Sequence, residues 1–561
     1  MARWRLWLVC GFIAACFICA VALVLLCIPS LLDRGCPSGS FKRAAVSADS
    51  QRCSDIGRNV LQQGGSAVDG AIAALLCTSV VNPQSMGIGG GSIFTIRDKT
   101  GNVKVYNFRE TVPQSVKPNL LNDCPTTFKL CTGSQWIGVP GELRGYEAVH
   151  KQYGKLPWAK LFEPTIALAR EGITMPDFLI KLLNNTMVKS HVEKSSLCSL
   201  QVLCNKNKTV LGKGETLKFP KLAETMETIA EQGADAFYTG KIGHDLIQDI
   251  QAAGGTLKME DLKSFQVRVE DAWTVPLGST QMHIPPPPAG GVLLAFILRL
   301  MKEFSLTPNS LDGDQKILMY HHYIEALKFA NGQRRSIRDP VFNNRKSADH
   351  LIDPSFINRI RSMISSNCTH DNSYYNNIKP PSDHIGTTHV SVLDEDGLAV
   401  SATSTINQLF GVTLYSPQTG IILNNELTDF CGRADSVRAG EQPPSSMTPV
   451  IFESKSGGLL LIGGSGGSMI TTAVALSIIN HLWLGMNLKD AIAAPIVFVD
   501  SSNAVNFEPE FDKSVENGLS DLGHKAGEWK YFLNVVNAVE KEKGCIVAVS
   551  DKRKEGMSSG Y

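Results

Sequence analysis

Two apolar, β-branched runs separated by a short polar break lie in the C-terminal half of the chain. Residues 388–393 have the period-2 pattern of a strand, residues 394–397 supply turn formers, and residues 398–406 resume the strand pattern. An Asp-Gly pair between two such runs is typical of a hairpin. The pattern therefore predicts a β-hairpin that begins just after Gly386 and Thr387.

Helical patterns occur on both sides of this hairpin. Residues 51–63 and 67–80 predict two helices, and the second is apolar nearly all round, as expected of a buried helix. Residues 284–301 predict a polyproline corner followed by a buried helix. Residues 459–467 predict a buried strand that runs into glycines, and residues 468–483 predict a mostly apolar helix.

The N-terminus carries a long uncharged, apolar run. Arg3 and Arg5 precede it, and its strongest part, residues 6–28, is long enough to span a bilayer. A cleaved signal peptide would have a shorter apolar run and a small-residue cleavage site. We therefore expect a signal anchor, with residues 1–5 in the cytoplasm and the rest of the chain outside the cell, in a single-pass type II membrane protein.

An extracellular location makes the cysteines informative, because disulfides form in that oxidising compartment. The chain has fourteen cysteines. Cys198 and Cys204 are close together in a polar setting, which predicts a local disulfide. Cys53 and Cys77 lie on the first two predicted helices and could join them.

Other features agree with a secreted or lumenal ectodomain. Cys124 and Cys131 could close a loop through a further disulfide. Asn184, Asn207 and Asn367 each begin an Asn-x-Thr sequon, which predicts glycosylation of an exposed loop.

Length and charge narrow the classes of function. The 561 residues can bury a large core, and a hydrophobic content of 43% is ordinary for a globular protein. The net charge of +1 gives no reason to expect a nucleic-acid partner. In the run His321-His322-Tyr323-Ile324-Glu325, a histidine and the glutamate can share one helix face as metal ligands do, but no third ligand is evident. We therefore expect a solvated helix face there and no metal.

Gly386 and Thr387 at the start of the hairpin have the residue types that self-cleavage needs. The Thr387 hydroxyl would attack the Gly386 carbonyl, the amide would become an ester, and water would release a new N-terminus. Thr387 would then carry a nucleophilic hydroxyl beside its own base, a free α-amine with a pKa of about 7.7–8. The alternative interpretation is an ordinary hairpin of buried threonines.

Three other motifs supply groups that suit a zwitterionic substrate. Arg109 has the planar fork that binds a carboxylate, and Ser445 and Ser446 are consecutive hydroxyls in a proline-bounded loop. Glu426 and Asp429 place two acids near one another, where unpaired they would attract an ammonium group. Each motif alone also has a purely structural interpretation. Arg109 could form a surface ion pair, the two acids could be solvated loop residues, and the two serines could be turn formers.

A further motif, Gly466-Gly467, follows a predicted strand and could present backbone N–H groups to an oxyanion. Together the motifs describe a pocket with a carboxylate site, an ammonium site and a nucleophile that reaches an amide beyond them.

With these motifs the chain resembles the γ-glutamyltransferases, also called glutathione hydrolases, over essentially its whole length. The matching stretches are NPQSMGIGGGSIFTI (82–96), FRETVP (108–113), GVPGELRGY (138–146), GTTHVSV (386–392), SATSTIN (401–407), ILNNELTDF (422–430), PSSMTP (444–449) and GGSGG (463–467). Within the family, the sequences of these motifs are most similar to those of the γ-glutamyl leukotrienase branch, which also acts on leukotriene C4.

The resemblance implies a role for each matching residue. Thr387 is the nucleophile, released by cleavage after Gly386, and Thr405 positions it. The α-carboxylate of the γ-glutamyl group is bound by Arg109, Ser445 and Ser446. Its α-amine is held by Asn407, Glu426 and Asp429, the oxyanion hole is formed by Gly466 and Gly467, and the disulfides are Cys53–Cys77 and Cys198–Cys204. Several relatives have tyrosine where this chain has Leu409, so a hydroxyl gate over the substrate is not carried over.

The resemblance also implies the fold and the reaction. The fold is α+β, the αββα sandwich of the N-terminal-nucleophile hydrolases. After autocleavage, a large subunit of residues 29–386 and a small catalytic subunit of residues 387–561 form a heterodimer anchored in the membrane. The enzyme cleaves γ-glutamyl amides of glutathione, its S-conjugates and leukotriene C4 through a γ-glutamyl-threonine ester. The acceptor is water, an amino acid or a dipeptide, and no metal or organic cofactor is needed.

Two alternatives come from different classes. One is another amidase of the same fold, such as a glutaryl-type acylase. Glu426 and Asp429 argue against it, because a glutaryl chain has no amine for them to bind. The other is an uncleaved, inactive membrane protein that acts in recognition, and the intact Thr387 and Thr405 argue against it.

Overall fold

The computed structural model describes residues 36–125, 130, 133–343, 348–377, 386–529 and 535–561. The predicted membrane anchor at residues 6–28 and Cys131 lie outside these ranges. Within them, no helix combines the length and the apolar character that crossing a bilayer requires.

The strands of the described residues alternate with helical segments along the chain. They are β1 Ala45–Ala48, β2 Gly91–Arg97, β3 Val103–Asn107, β4 Ile173–Thr174, β5 Thr216–Leu217, β6 Arg268–Asp271, β7 Trp273–Leu277, β8 Thr280–Ile284, β9 Thr388–Leu393, β10 Ala399–Thr405, β11 Val450–Ser454, β12 Leu459–Ser465, β13 Val497–Val499, β14 Val505–Phe507, β15 Val535–Glu542, β16 Cys545–Val549 and β17 Met557–Gly560.

The α-helices fall mainly into two groups, one before β6 and one after β8. They are α1 Gln51–Gln62, α2 Ala67–Val81, α3 Glu142–Tyr153, α4 Trp158–Glu171, α5 Asp177–Leu183, α6 Thr186–Glu193, α7 Ser196–Ser199, α8 Pro220–Gln232, α9 Asp235–Tyr238, α10 Lys241–Ala252, α11 Met259–Ser264, α12 Gly291–Lys302, α13 Gly313–Gln333, α14 Pro354–Met363, α15 Ile470–Leu482, α16 Leu488–Ala493 and α17 Lys513–Asp521.

Two antiparallel sheets form the centre of the fold. The first has the order β17-β1-β9-β10-β2-β3-β6, and the second has the order β16-β15-β12-β11-β8-β7. Side-chain alternation in β12 shows how they stack. Leu459 and Leu461 pack between the sheets, whereas Leu460 and Ile462 belong to the core shared with α12, α13 and α15. Such period-2 alternation lets one strand serve two hydrophobic layers.

Helices cover the outer face of each sheet. The completely buried α2 packs on β9 and β10 of the first sheet, and its N-terminus has a capping box between Ser66 and Asp69. The helices α12 and α15 pack on the second sheet. The four layers are therefore helix, sheet, sheet and helix, as the sequence predicted.

The predicted hairpin forms between β9 and β10. Its register pairs Ala399 with Leu393 and Ser404 with Thr388. The Asp394 side chain accepts the N–H groups of Asp396 and Leu398 and so closes the turn. Because the register continues toward the open end of the hairpin, Thr387 and Thr405 lie side by side.

Four disulfides join described cysteines. Cys53–Cys77 and Cys198–Cys204 form as expected. Cys124 pairs with Cys431, so the expected Cys124–Cys131 loop is wrong. The fourth bond joins two cysteines near the ends of the described chain, Cys36 and Cys545. Cys368 forms no disulfide with another cysteine of the described ranges.

The three sequon asparagines lie on the surface. Asn184, Asn207 and Asn367 are all exposed, so each is accessible to a glycan.

Candidate active site

Thr387 lies immediately before β9 with only 4% of its surface exposed. Its φ is +80°, an uncommon value for a residue with a branched side chain. The preceding Gly386 has a φ of +158°, and a Cβ there would lie 1.9 Å from the carbonyl oxygen of Asn407. Only glycine therefore fits before Thr387.

The Thr387 hydroxyl lies beside the hydroxyl of Thr405. The two Oγ1 atoms are 3.0 Å apart. The backbone N–H of Asn407 donates to Thr405 Oγ1 at 2.8 Å, which leaves the Thr405 proton available to Thr387. The backbone N–H of Thr387 donates to the Ser85 carbonyl at 3.1 Å. The geometry agrees with the positioning role expected of Thr405.

The carbonyl of the Gly386–Thr387 peptide bond faces the Gly466-Gly467 turn. The N–H of Gly466 donates to Gly386 O at 3.1 Å. Gly466 and Gly467 have φ values of +117° and +61°, conformations that other residues rarely adopt. The turn thus places a backbone donor on the carbonyl beside the Thr387 hydroxyl.

Lys554, which was not predicted as a site residue, binds the backbone of Thr387. Its ammonium group donates to the Thr387 carbonyl and to Ser465 Oγ, both at 2.8 Å, and lies 3.1 Å from Asp49 Oδ2. Lys554 and Asp49 are each about 98–99% buried. Asp49 also accepts the Thr388 hydroxyl at 2.7 Å. A buried ion pair therefore fixes the backbone of the proposed nucleophile.

Arg109 pairs directly with the two acids predicted to bind an ammonium group. Its guanidinium lies 2.5 Å from Glu426 Oε1 and 2.6 Å from Asp429 Oδ2. It also donates to the carbonyls of Pro443 and Pro444, at 2.9 and 2.8 Å. The expectation that both acids are unpaired is thus wrong. Each acid forms an ion pair with Arg109, as buried charges usually do with a charge of opposite sign.

These contacts also limit what Arg109 can offer a substrate. Four of its five N–H groups are engaged, so the expected bidentate grip on a carboxylate is not available in this arrangement. One N–H remains.

The buried carboxyl groups of Glu110 and Glu426 have pKa values above the usual range of a glutamate. Three of their four carboxyl oxygens accept no hydrogen bond from the described residues. These are both oxygens of Glu110 and Oε2 of Glu426. Burial raises the pKa of Glu110 well above its usual range, and the charge of Glu426 raises it further. Burial likewise raises the pKa of Glu426, to about 7, although the positive charge of Arg109 opposes the rise. With Glu110 neutral and Glu426 ionised, Arg109, Glu426 and Asp429 together carry one unbalanced negative charge.

The remaining predicted binders have defined hydrogen-bond roles. The Asn407 amide donates to Asp429 Oδ1 at 3.1 Å and to Thr428 Oγ1 at 2.9 Å, and so orients the acid. Ser445 Oγ accepts the N–H of Met447 at 3.0 Å. Ser446 Oγ accepts a guanidinium N–H of Arg334 at 2.8 Å.

The residues predicted to form the site meet at one cavity of about 340 Å³. Nine of the ten predicted catalytic and binding residues line it, and the tenth, Gly466, is adjacent. The nine are Arg109, Thr387, Thr405, Asn407, Glu426, Asp429, Ser445, Ser446 and Gly467. Four arginines that the sequence did not point to also line the cavity: Arg334, Arg335, Arg338 and Arg433. Leu409 lies in the hydrophobic core and not at the cavity.

The histidine pair on α13 is not solvated, contrary to expectation. His321 and Glu325 are completely buried, and His524 joins them. Lys328 Nζ donates to His524 Nδ1 at 2.9 Å, so His524 Nε2 donates to His321 Nδ1 at 2.8 Å. His321 Nε2 then donates to the Ser365 carbonyl at 2.7 Å. Burial lowers the pKa of both histidines, and Lys328, 3.5 Å from Glu325, balances its charge.

The four-layer fold, with a hydroxyl residue immediately before an inner strand, defines the class of N-terminal-nucleophile hydrolases. Similar solved structures agree. Cephalosporin acylase from Bacillus halodurans is 21% identical, with a TM-score of 0.82 over 93% of this chain and 96% of that chain, which shows the fold alone. The γ-glutamyltranspeptidase of Helicobacter pylori is 26% identical, with a TM-score of 0.52 over 58% of this chain and 92% of that chain.

The family follows from the sequence comparisons. Residues 53–561 match the model of the gamma-glutamyltranspeptidase family. The chain is 48% identical to the glutathione hydrolase 5 proenzyme of Rattus norvegicus, with 94% of each chain covered. It is 46% identical to that of Homo sapiens, again with 94% of each chain covered. The chain therefore belongs to the gamma-glutamyltranspeptidase family and is an enzyme.

Proposed function

We propose that this enzyme cleaves the γ-glutamyl amide bond of glutathione, of glutathione S-conjugates and of leukotriene C4, which becomes leukotriene D4. The γ-glutamyl group passes to water or to an amino acid or dipeptide. The observation that carries the proposal is a single cavity in which Thr387, a backbone N–H donor and groups for both ends of a zwitterion lie together.

Charge supports a γ-glutamyl substrate. The unbalanced negative charge of the Arg109–Glu426–Asp429 group suits the substrate ammonium. The hydroxyl oxygens of Ser445 and Ser446 accept hydrogen bonds from the protein, so their protons remain for the substrate carboxylate.

Self-cleavage activates the enzyme in this scheme. The Thr387 oxygen attacks the Gly386 carbonyl, while the N–H of Gly466 holds the developing oxyanion. The C–N bond breaks, the nitrogen takes the hydroxyl proton, and an ester forms. Water hydrolyses the ester, which leaves a carboxylate on Gly386 and a free amine on Thr387.

The mature enzyme then transfers an acyl group. The Thr387 hydroxyl attacks the γ-glutamyl amide while the α-amine, with a pKa of about 7.7–8, takes its proton and passes it to the leaving amine. A γ-glutamyl-threonine ester remains. Water or an acceptor amine cleaves it and regenerates Thr387, and the scheme requires no cofactor.

The leaving group would extend into the rest of the cavity. Its lining includes apolar side chains able to contact the apolar substituent of an S-conjugate or leukotriene: Leu293, Ile337, Phe430, Met447 and Ile470. The family relationship and this lining support leukotriene C4 as one substrate.

The two proposed subunits would remain joined. β1 of the large subunit lies between β9 and β17 of the small subunit. Cys36–Cys545 and Cys124–Cys431 also cross the cleavage point. These disulfides and the exposed sequons support a type II membrane protein whose active site is extracellular.

The test is an ectodomain beginning near residue 35. Wild type should turn over γ-glutamyl-p-nitroanilide, glutathione and leukotriene C4, and should give two chains on a reducing gel, the smaller beginning at Thr387. Thr387→Ala should remain one inactive chain. Cleavage of that variant at the same bond would show that an external protease acts, and inactivity of processed wild type toward all three substrates would refute the function.

A further inference from the structure

Arg334 joins two parts of the cavity wall, the Ser445-Ser446 loop and the segment that follows the Gly466-Gly467 turn. It follows α13 and begins the short 3-10 turn Arg334–Ser336. One terminal nitrogen of its guanidinium donates to Ser446 Oγ at 2.8 Å, and the other donates to the Ser468 carbonyl at 2.8 Å. Ser446 lies at the proposed carboxylate site, and Ser468 directly follows the Gly466-Gly467 turn.

The guanidinium of Arg334 also binds a side chain of α13, Asn331. Its Nε donates to Asn331 Oδ1 at 3.1 Å. The amide of Asn331 in turn donates to the carbonyls of Val499 and Asp500, at 3.1 and 3.0 Å. With its planar head fixed at three points, Arg334 presents its donors in one orientation.

Donor chemistry then fixes the role of the serine hydroxyl. A guanidinium can only donate, so Ser446 Oγ must accept in this bond. Its own proton is left for another acceptor, and Ser446 lines the cavity. The contact also places a positive charge beside Ser446, opposite in sign to the Glu426 and Asp429 end.

We propose that Arg334 is a positioning residue for γ-glutamyl recognition, a role that rests on the proposed function. It presents Ser446 as a donor to the substrate α-carboxylate, and it fixes the distance between that hydroxyl and the oxyanion N–H. In a γ-glutamyl group three carbons separate the carboxylate from the reacting carbonyl. A fixed spacing therefore selects substrates that carry both groups at this separation.

The experiment compares two p-nitroanilides with the processed ectodomain. The γ-glutamyl compound carries the α-carboxylate, and the 4-aminobutyryl compound lacks it. Since charge-assisted hydrogen bonds are strong, Arg334→Gln should lower kcat/KM about 100-fold for the γ-glutamyl compound, mainly through KM. For the 4-aminobutyryl compound the loss should be less than about tenfold. Equal losses would overturn the proposal, because a merely structural role affects both substrates alike.

Two further variants keep the test decisive. Arg52→Gln removes an exposed positive charge from a residue that does not line the cavity, and should leave both rates within about twofold. In a Ser446→Ala background, Arg334→Gln should reduce the two substrates by the same factor, since its effect on the carboxylate is already lost. If Arg334→Gln does not fold, Arg334→Lys, which keeps the charge but cannot reach both partners, should show the same selectivity loss. Wild type inactive toward the γ-glutamyl compound would instead refute the proposed function.

Discussion

Lys554→Met offers a direct measure of the buried support beneath Thr387. The substitution keeps the side-chain length but removes the ammonium group, which contacts Asp49, the Thr387 carbonyl and Ser465 Oγ at 2.8–3.1 Å. Both partners of the ion pair are 1% exposed at the side chain. Removing one partner leaves Asp49 buried and uncompensated, at a cost of about 3–5 kcal/mol.

A double-mutant cycle separates the ion pair from lost packing. Asp49→Asn alone should also destabilise, because it leaves the Lys554 charge unbalanced. The double variant should be more stable than the sum of the two single costs predicts, by about 2–3 kcal/mol. The free energy of unfolding is measured by urea denaturation in a Thr387→Ala background, which keeps the chain in one piece while retaining the Thr387 carbonyl. The exposed Lys513 supplies the control Lys513→Met, which should not move the urea midpoint.

Strict additivity in this cycle would refute the reasoning, because two residues that do not interact have independent costs. The same contacts predict a second readout. In the protein that retains the Thr387 hydroxyl, Lys554→Met should slow self-cleavage, since the Thr387 backbone loses its anchor. Unchanged processing would mean that the hairpin alone holds Thr387 in place.

Three further predictions follow from other contacts. Arg109→Lys should reduce kcat/KM by roughly 30-fold or more, because an ammonium group cannot bridge two acids and two carbonyls, while self-cleavage should persist. On a non-reducing gel, processed wild type should run as one band and Cys36→Ser/Cys124→Ser as two. Burial lowers the pKa of His481, but Glu540, 2.7 Å away, raises it more, to a net value above 6.5. Wild type should therefore have a free energy of unfolding about 1 kcal/mol higher than that of Glu540→Gln. This difference should be complete below pH 6.5 and should disappear as the pH rises through the raised pKa of His481.

Local patterns predicted the elements that depend on local chemistry. The β9–β10 hairpin follows from two β-branched runs and an Asp-Gly turn, and the structure has both strands within a residue or two. The helix expected at residues 468–483 begins only at Ile470, because Gly467–Met469 forms a 3-10 turn first. The positive φ values of the two glycines account for this delay.

Contacts between distant segments were not predictable in this way. Cys431 reaches Cys124 across 307 residues. Lys554 lies in a run of charged residues that is normally typical of a solvated surface. The family motifs identified the cavity residues, but not their pairing. Nothing in the sequence near Arg109 indicates that its fork is already occupied by Glu426 and Asp429.

That pairing changes how the cavity discriminates between substrates. A γ-glutamyl group brings one positive and one negative charge into a site that has one unbalanced negative charge at Glu426 and Asp429 and a guanidinium beside Ser446. Each substrate charge thus meets its opposite. A glutaryl group has the carboxylate alone, so it brings no ammonium group to the net negative charge of the acidic end and adds a second negative charge to the cavity.

Loss of one partner from a close charge pair typically costs about 2–5 kcal/mol. The same loss of binding free energy here corresponds to a decrease in kcat/KM of roughly 30-fold or more. Glutaryl-p-nitroanilide should therefore be a poor substrate of wild type. Asp429→Ala should impair γ-glutamyl turnover strongly and glutaryl turnover little, because the removed carboxylate never contacted the glutaryl chain. Equal wild-type turnover of the two compounds would remove Glu426 and Asp429 from substrate recognition and favour a glutaryl-type acylase.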